Sequence, residues 1–146
     1  MAVVKAVCIS EQKGVRKHPV DEIAVRKDGG VVGDAHGEDL KRQISLLGDE
    51  SVEKLRWAMP ELAPGDFAEN ILVEGVTLYE LPIGTELRIG ETLLKVTQIG
   101  KECHQGCEIR RITGDCVMPR EGVFARVLTE GVIRPGDVLE VIPAEN

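Results

Sequence analysis

Cys103, His104 and Cys107 fall within five positions of one another, and Cys116 follows nine residues further on. Thiols and an imidazole at this density do one of three kinds of work: they bury as small apolar groups, they hold a metal, or one of them serves as a reactive thiolate. Burial suits Cys8, inside the apolar run "VVKAVCIS". It does not suit Cys103, which follows Gly100 and sits among Lys101, Glu102, His104 and Gln105. Zinc held by Cys103, His104, Cys107 and Cys116 has the right ligand types, but adjacent residues seldom aim at one ion and the usual C-x-x-C pairing is absent. A reactive thiolate finds Lys101, Arg110 and Arg111 nearby to lower its pKa, with Glu102 opposing them. Such a thiolate carries sulfur as a persulfide, ligates a soft metal, or forms a disulfide with Cys107 as resolving partner. The residue types leave these uses open.

The elements that must position this stretch are short. β-Branched runs are broken at close intervals by Gly, Pro and Asp, a spacing that predicts an all-β barrel or sandwich. "VVKAVCIS" opens as a strand. Further strands are expected at 22–26, at Val31–Val32 after the Asp28-Gly29-Gly30 turn, and at 43–47, these three reading as neighbours. Val52, Leu55 and Met59 are spaced as one face of a single prominent helix over 50–59, with Asp49 or Ser51 to cap it and Pro60 to end it. Strands return in "ILVEG", "ELPIGTELRI" and "TLLKVTQI", where Leu94, Val96 and Gln98 alternate with Leu93, Lys95 and Thr97. The cysteine stretch begins as that strand ends. "GVFARVL" and "DVLEVI" close the chain, joined through turns at Glu130-Gly131 and at Arg134-Pro135-Gly136-Asp137. Every Pro is read as lying in or beside a turn. "PIGTELRI" and "RPGDVLEV" echo each other too weakly to make a repeat.

Whole-chain quantities narrow the function. The 146 residues fit one domain, 1–146, with no linker. At 42% hydrophobic and 29% charged the composition is globular, and no apolar run approaches the ~18 residues of a spanning helix. "MAVVKAVCIS" has no long apolar signal region, so the protein is expected in the cytoplasm, where thiols stay reduced. A net charge of −7 repels nucleic acid and anionic membrane, and 3% aromatic residues leave almost no base-stacking platform. Any anionic ligand must therefore meet a local cluster of Lys and Arg.

Five stretches, in order, give the chain a resemblance to the MOSC domain, the C-terminal domain of molybdenum cofactor sulfurases. They are "GDAHG" (33–37), "KRQISLLGDESVEKL" (41–55), "PGDFAENILVEG" (64–75), "LPIGTELRIGETLLKVTQIGKECH" (81–104) and "MPREGVFARVL" (118–128). The order is that of small stand-alone bacterial and archaeal members. The resemblance implies a closed, largely antiparallel β-barrel with a few short helices. It implies binding of the molybdenum cofactor (molybdopterin), a pterin dithiolene bearing a phosphate. Cys103 matches the cysteine that such proteins use as sulfur carrier or molybdenum ligand. "KRQ" and "FAEN" resemble stretches lining the cofactor pocket of the related amidoxime-reducing enzymes, which points to Lys41, Arg42 and Asn70. Lys101 matches a pocket-facing position. Arg120, in "MPREG", either rims the pocket or covers the Pro119 turn, and His36, in "GDAHG", is a ligand or a plain loop residue. This chain departs from its relatives in having Glu102 where many have Pro, and Ala68 where the amidoxime-reducing enzymes have Arg.

The function so implied is cofactor sulfuration, transfer or maturation, with Cys103 as the soft nucleophile or ligand. The pyridoxal phosphate domain of full-length sulfurases has no counterpart in 146 residues. Sulfur would therefore come from a partner cysteine desulfurase or another donor, and cofactor would pass to molybdoenzymes or biosynthesis proteins. A cofactor-dependent reductase of N-hydroxylated compounds, fed by a separate electron donor, is the alternative. A non-enzymatic cofactor carrier is another. The expected layout gathers Lys41, Arg42, Asn70 and Lys101 around Cys103, in a positive patch on an acidic molecule.

Overall fold

A computed structural model describes residues 2–12, 16–35, 42–100 and 117–144. Its strands are β1 (Ala2–Ile9), β2 (His18–Val20), β3 (Ile23–Arg26), β4 (Gly30–Val31), β5 (Ile44–Gly48), β6 (Ile71–Glu74), β7 (Glu86–Ile89), β8 (Thr92–Ile99), β9 (Val123–Thr129), β10 (Gly131–Ile133) and β11 (Val138–Ile142). Two short helices, α1 (Asp49–Glu53) and α2 (Met118–Glu121), and a 3-10 turn at Leu78–Glu80 complete them.

The strand order β11-β7-β8-β9-β5-β6-β1 closes on itself through the pairing of β1 with β11, making a seven-stranded barrel. All pairings in it are antiparallel except β5 with β6, which the α1 crossover joins in parallel. The all-β barrel expected from turn spacing and from the resemblance is thus the fold observed. β10, β3 and β4 form a small second sheet.

One irregularity in β1 organises the core. A register shift lies between Val4 and Ala6. On one side of it β1 pairs with β11 and on the other with β2. Because side chains alternate along a strand, an inserted residue exchanges the faces. Val4 and Val7 thus join the barrel interior with Ile44, Leu46, Ile71, Val73, Leu94 and Val96. Ala6 and Cys8 turn to a second apolar layer with Leu47, Leu72, Phe124, Val52, Leu55, Met59, Leu62 and Phe67. Strands β5 and β6 are buried on both faces, which is why "ISLL" and "ILV" read as unbroken apolar runs. On β8 the alternation holds as read, with Leu94 and Val96 buried and Lys95 exposed.

Five expectations are corrected. The helix ends at Glu53, not at Met59, and continues as tight turns such as Leu55 N–H to the Val52 carbonyl (2.9 Å) and Ala58 N–H to the Leu55 carbonyl (3.2 Å). The N-cap is Gly48, without a side-chain cap, because Asp49 binds Lys5 (2.8 Å) and Arg56 (2.6 Å) while Ser51 binds Glu121. The apolar stripe was nonetheless sound: Val52, Leu55 and Met59 are all buried. β5 does not neighbour β3 or β4 but lies between β6 and β9, since its two apolar faces require the barrel wall. β2 and β10 are further strands. Pro19 sits inside β2, an edge strand where a missing N–H costs no ladder bond, and Gly131 begins β10 instead of forming a turn.

Candidate functional site

The strand leading to the cysteines is anchored in the barrel wall. Gln98 pairs with Phe124 and Ile99 with Val123. Gly100 leaves the strand at φ 73°, a left-handed conformation that favours glycine, and its N–H donates to the Gly122 carbonyl at 2.6 Å. The Gln98 carboxamide donates to the Gly100 carbonyl at 2.8 Å. Lys101, Cys103, His104, Cys107, Arg110, Arg111 and Cys116 lie outside the described residues, as do His36 and Lys41. The possible zinc set therefore falls outside them as well. Among the described residues no group of His, Cys, Asp or Glu is placed to hold a metal ion.

Val117 is buried, and α2 carries Arg120 and Glu121. Glu121 accepts hydrogen bonds from the Ser51 hydroxyl (2.6 Å) and from Lys54 Nζ (2.9 Å to each oxygen), so α2 is clamped to the α1 region. Lys54 also stands over the Tyr79 ring, 5.3 Å from its centre. Arg120 is exposed, with its guanidinium 3.8 Å from Glu121.

Arg42 is exposed and precedes β5. The backbone beside it is fixed by buried Gln43, whose carboxamide donates to the Lys27 carbonyl (2.8 Å) and accepts from Val127 N–H (2.8 Å). Leu46, Val123 and Ile99 share one row across β5, β9 and β8, at the end toward which β5 and β8 both run. Arg42 precedes the opposite end of β5.

Asn70 lies inside the protein, 2% exposed. Its Oδ1 accepts from Ser45 N–H (3.0 Å) and the Ser45 hydroxyl (3.2 Å), and its Nδ2 donates to the Cys8 carbonyl (3.1 Å). The same carboxamide reaches Asp34. Asn70 therefore ties β1, β5, β6 and the "GDAHG" stretch together.

Around it lies a polar centre that the sequence did not flag. Lys17 Nζ is 2.7 Å from Asp34 Oδ1, with the two side chains 2% and 0% exposed, and Ser10 N–H donates to the same oxygen at 2.9 Å. Burial alone would raise the Asp34 carboxyl. The Lys17 hydrogen bond, the Ser10 N–H, the Lys17 charge and the Asn70 carboxamide outweigh it and hold Asp34 below the usual range. Glu69 is also buried, and burial dominates there: the carboxyl is pushed up to about 7, although backbone N–H groups oppose the shift. Cys8 is fully buried. Desolvation and the nearby Glu69 charge, against Lys17, push its thiol up to about 12, which keeps it in the unreactive thiol form. Asp34 stands in "GDAHG" and Glu69 in "FAEN", so the motifs were in view. What gives each its partners is the folded chain: Lys17 and Ser10 N–H for Asp34, Gly65 and Phe67 N–H for Glu69.

The family model for the MOSC domain matches residues 32–140. Solved structures of similar fold include the YuaD protein from Bacillus subtilis, with TM-score 0.80, 20% identity and coverage of 97% of this chain and 96% of that one. They include YiiM from Geobacillus stearothermophilus (TM-score 0.73, 21% identity, 97% and 75% covered) and YiiM from Escherichia coli (0.66, 20%, 99% and 70%). No curated protein matches the chain.

Proposed function

The chain belongs to the MOSC domain family, and on that premise we propose that it binds the molybdenum cofactor and acts in its sulfuration, transfer or maturation, with Cys103 as sulfur carrier or molybdenum ligand. The observation that carries this reading is the extent of the family match, 32–140, which takes in Lys41, Arg42, Asn70, Lys101, Cys103 and Arg120 together. The fate of Cys8 supports it. With that thiol buried and held protonated, soft-nucleophile chemistry falls to the cysteines of 103–116.

The donor types present suit such a cofactor. Arg120 is an exposed cation on an acidic molecule, and with Lys101 it would meet the phosphate and pterin edge through charge-assisted hydrogen bonds, whereas Arg42 precedes the end of β5 opposite to the row that holds Ile99. The Asn70 carboxamide is engaged by Ser45, Cys8 and Asp34, so its contribution is to shape the wall. When bound, the cofactor supplies a molybdenum centre that accepts a soft thiolate sulfur. As a sulfur carrier, the Cys103 thiolate attacks the terminal sulfur of a partner desulfurase's persulfide. The new S–S bond forms on Cys103 as the partner's cysteine leaves as thiolate.

The test is purification of the wild type and Cys103→Ser from a cofactor-competent host, with metal and pterin analysis and sulfur labelling. Molybdenum and pterin retained by the wild type and lost or labile in Cys103→Ser, or label on Cys103 alone, supports the reading. Stoichiometric zinc that is lost in the variant along with its fold overturns it. Turnover of an N-hydroxylated compound with an artificial electron donor would assign the reductase role instead.

A further inference from the structure

Over much of the molecule the cations are answered by carboxylates. Lys5 pairs with Asp49, Arg16 with Asp66, Lys17 with Asp34, Arg56 with Asp49 and Glu53, Arg134 with Glu22, and both Lys54 and Arg120 with Glu121. Arg26 at the end of β3, Lys27 after it, Arg88 on β7, Lys95 on β8 and Arg126 on β9 are exposed and form no ion pair among the described residues. Arg88 at least stands opposite Glu140.

Lys95 and Arg126 stand opposite each other. They are register partners across β8 and β9, and both point outward, because their neighbours Leu94, Val96, Ala125 and Val127 fill the barrel interior. Side chains so opposed have Cβ atoms about 5 Å apart, and like charges in that relation destabilise the sheet. Beyond Arg126, the pairing of Ile44 with Ala125 puts Gln43 next in the row. The Gln43 carboxamide joins the Val127 N–H to the Lys27 carbonyl, so Lys27 is moored at the same place, and exposed Arg42 precedes it. The carboxylates nearby are Glu86, opposite Lys95 on β7, Asp28, next to Lys27, and Glu130, which accepts the Lys27 N–H at 3.0 Å. None of them is ion-paired to the row. A chain with 25 acidic residues against 18 basic ones has set cation against cation here.

We propose that Lys27, Lys95 and Arg126 form a docking surface for an acidic patch on a partner protein, whose carboxylates bridge the opposed cations. A carboxylate seated between Lys95 and Arg126 replaces their repulsion with two attractions and meets the paired N–H donors of the guanidinium. Nucleic acid or an anionic bilayer extends past the row and meets the rest of a molecule of net charge −7, whereas a few acidic side chains match the row in size and sign. Lys95 lies four residues before Ile99 on β8, roughly 13 Å along the strand, so a docked partner is brought beside the end where the cysteine-bearing stretch begins. This surface belongs to the barrel wall and stands whether or not the cofactor reading does.

The probe is a decaglutamate peptide, titrated into the isotope-labelled full chain at about 0.01 M and about 0.15 M salt and followed by amide shifts. Shifts should concentrate at Lys27, Lys95 and Arg126 and spare Lys5 and Arg134, exposed cations that already have partners. Binding should weaken about tenfold at the higher salt, and about tenfold in the double variant Lys95→Glu with Arg126→Glu. Lys5→Glu with Arg134→Glu, which changes the net charge equally, should weaken it far less. Thermal unfolding supplies a second readout: Arg126→Gln should raise Tm, by lifting the repulsion on Lys95, while it weakens peptide binding. Absence of binding at the lower salt, shifts spread evenly over the exposed cations, equal loss in the two double variants, or a lower Tm in Arg126→Gln would each overturn the proposal. Tighter binding of decathymidylate or of phosphatidylglycerol vesicles at the same row would overturn it too, by assigning the surface to nucleic acid or to a bilayer.

Discussion

Asp34 and Glu69 are two carboxyl groups at one polar centre, both withdrawn from water and both accepting backbone N–H bonds, yet their pKa values move in opposite directions. The difference lies in the partner. Asp34 receives a buried ammonium 2.7 Å away, whereas Glu69 receives only amides and a like-charged neighbour, Asp66. Burial by itself does not set the ionisation state. What decides it is whether the chain delivers an opposite charge to the same depth.

The largest effect that would sharpen this contrast is Asp34→Ala, which leaves the Lys17 ammonium buried without its carboxylate and is expected to cost about 3–5 kcal/mol in denaturant unfolding. Pairing it with Lys17→Met should recover much of that loss. A cost under about 1 kcal/mol for Asp34→Ala alone would show the pair to be open to water.

Next comes pH. The folded pKa of Glu69, about 7, lies above its ordinary 4.5, so the stability it contributes is complete below about 4.5 and drains away as pH rises through 7. The slope is about 1.4 kcal/mol per unit within that window. Asp34 and Asp49 are held below their ordinary 3.8, so their contributions stand above that value and disappear as pH falls further. Stability should therefore peak between the two windows, near pH 4 to 5, and decline on both sides. Unfolding midpoints that climb steadily from pH 5 to pH 7 would break the contrast by showing Glu69 to be an ordinary carboxylate.

The smallest effect is Ala68→Gly. Relief of the left-handed conformation of Ala68, φ 63°, set against the greater freedom that glycine gives the unfolded chain, should raise stability by about 0.5–1 kcal/mol, read as an increase in Tm. A loss would mean that the Ala68 methyl packs to greater advantage than its backbone strain costs.

Much of the barrel was legible in the chain. Gly, Pro and Asp at short intervals and the alternation of "TLLKVTQI" correspond to β8 and its turns, and the stripe Val52, Leu55, Met59 correctly marked an apolar layer. The helix over-reached because periodicity reports which residues are buried and not how the backbone between them bonds. Of the two expected caps, Asp49 was drawn away by Lys5 and Arg56 and Ser51 by Glu121. β2 and β10 escaped notice because strands of three residues carry no periodic signal. In the candidate site, Asn70 was singled out for an external ligand, but its carboxamide meets Ser45 and the Cys8 carbonyl, groups distant in sequence that strand pairing brings together.

By itself the sequence determined the class of fold, the family signature in its five ordered stretches, and the polar setting of Cys103 against the apolar setting of Cys8. These depend on local composition and spacing, which a chain carries before it folds. Only the tertiary structure decided which charges are paired. Lys17 meets Asp34 and Lys54 meets Glu121 because barrel closure and the α1 crossover bring separate segments together, while Glu69 is left with amides alone. Desolvation and Coulomb energy depend on distances through space, and no spacing along the chain encodes them.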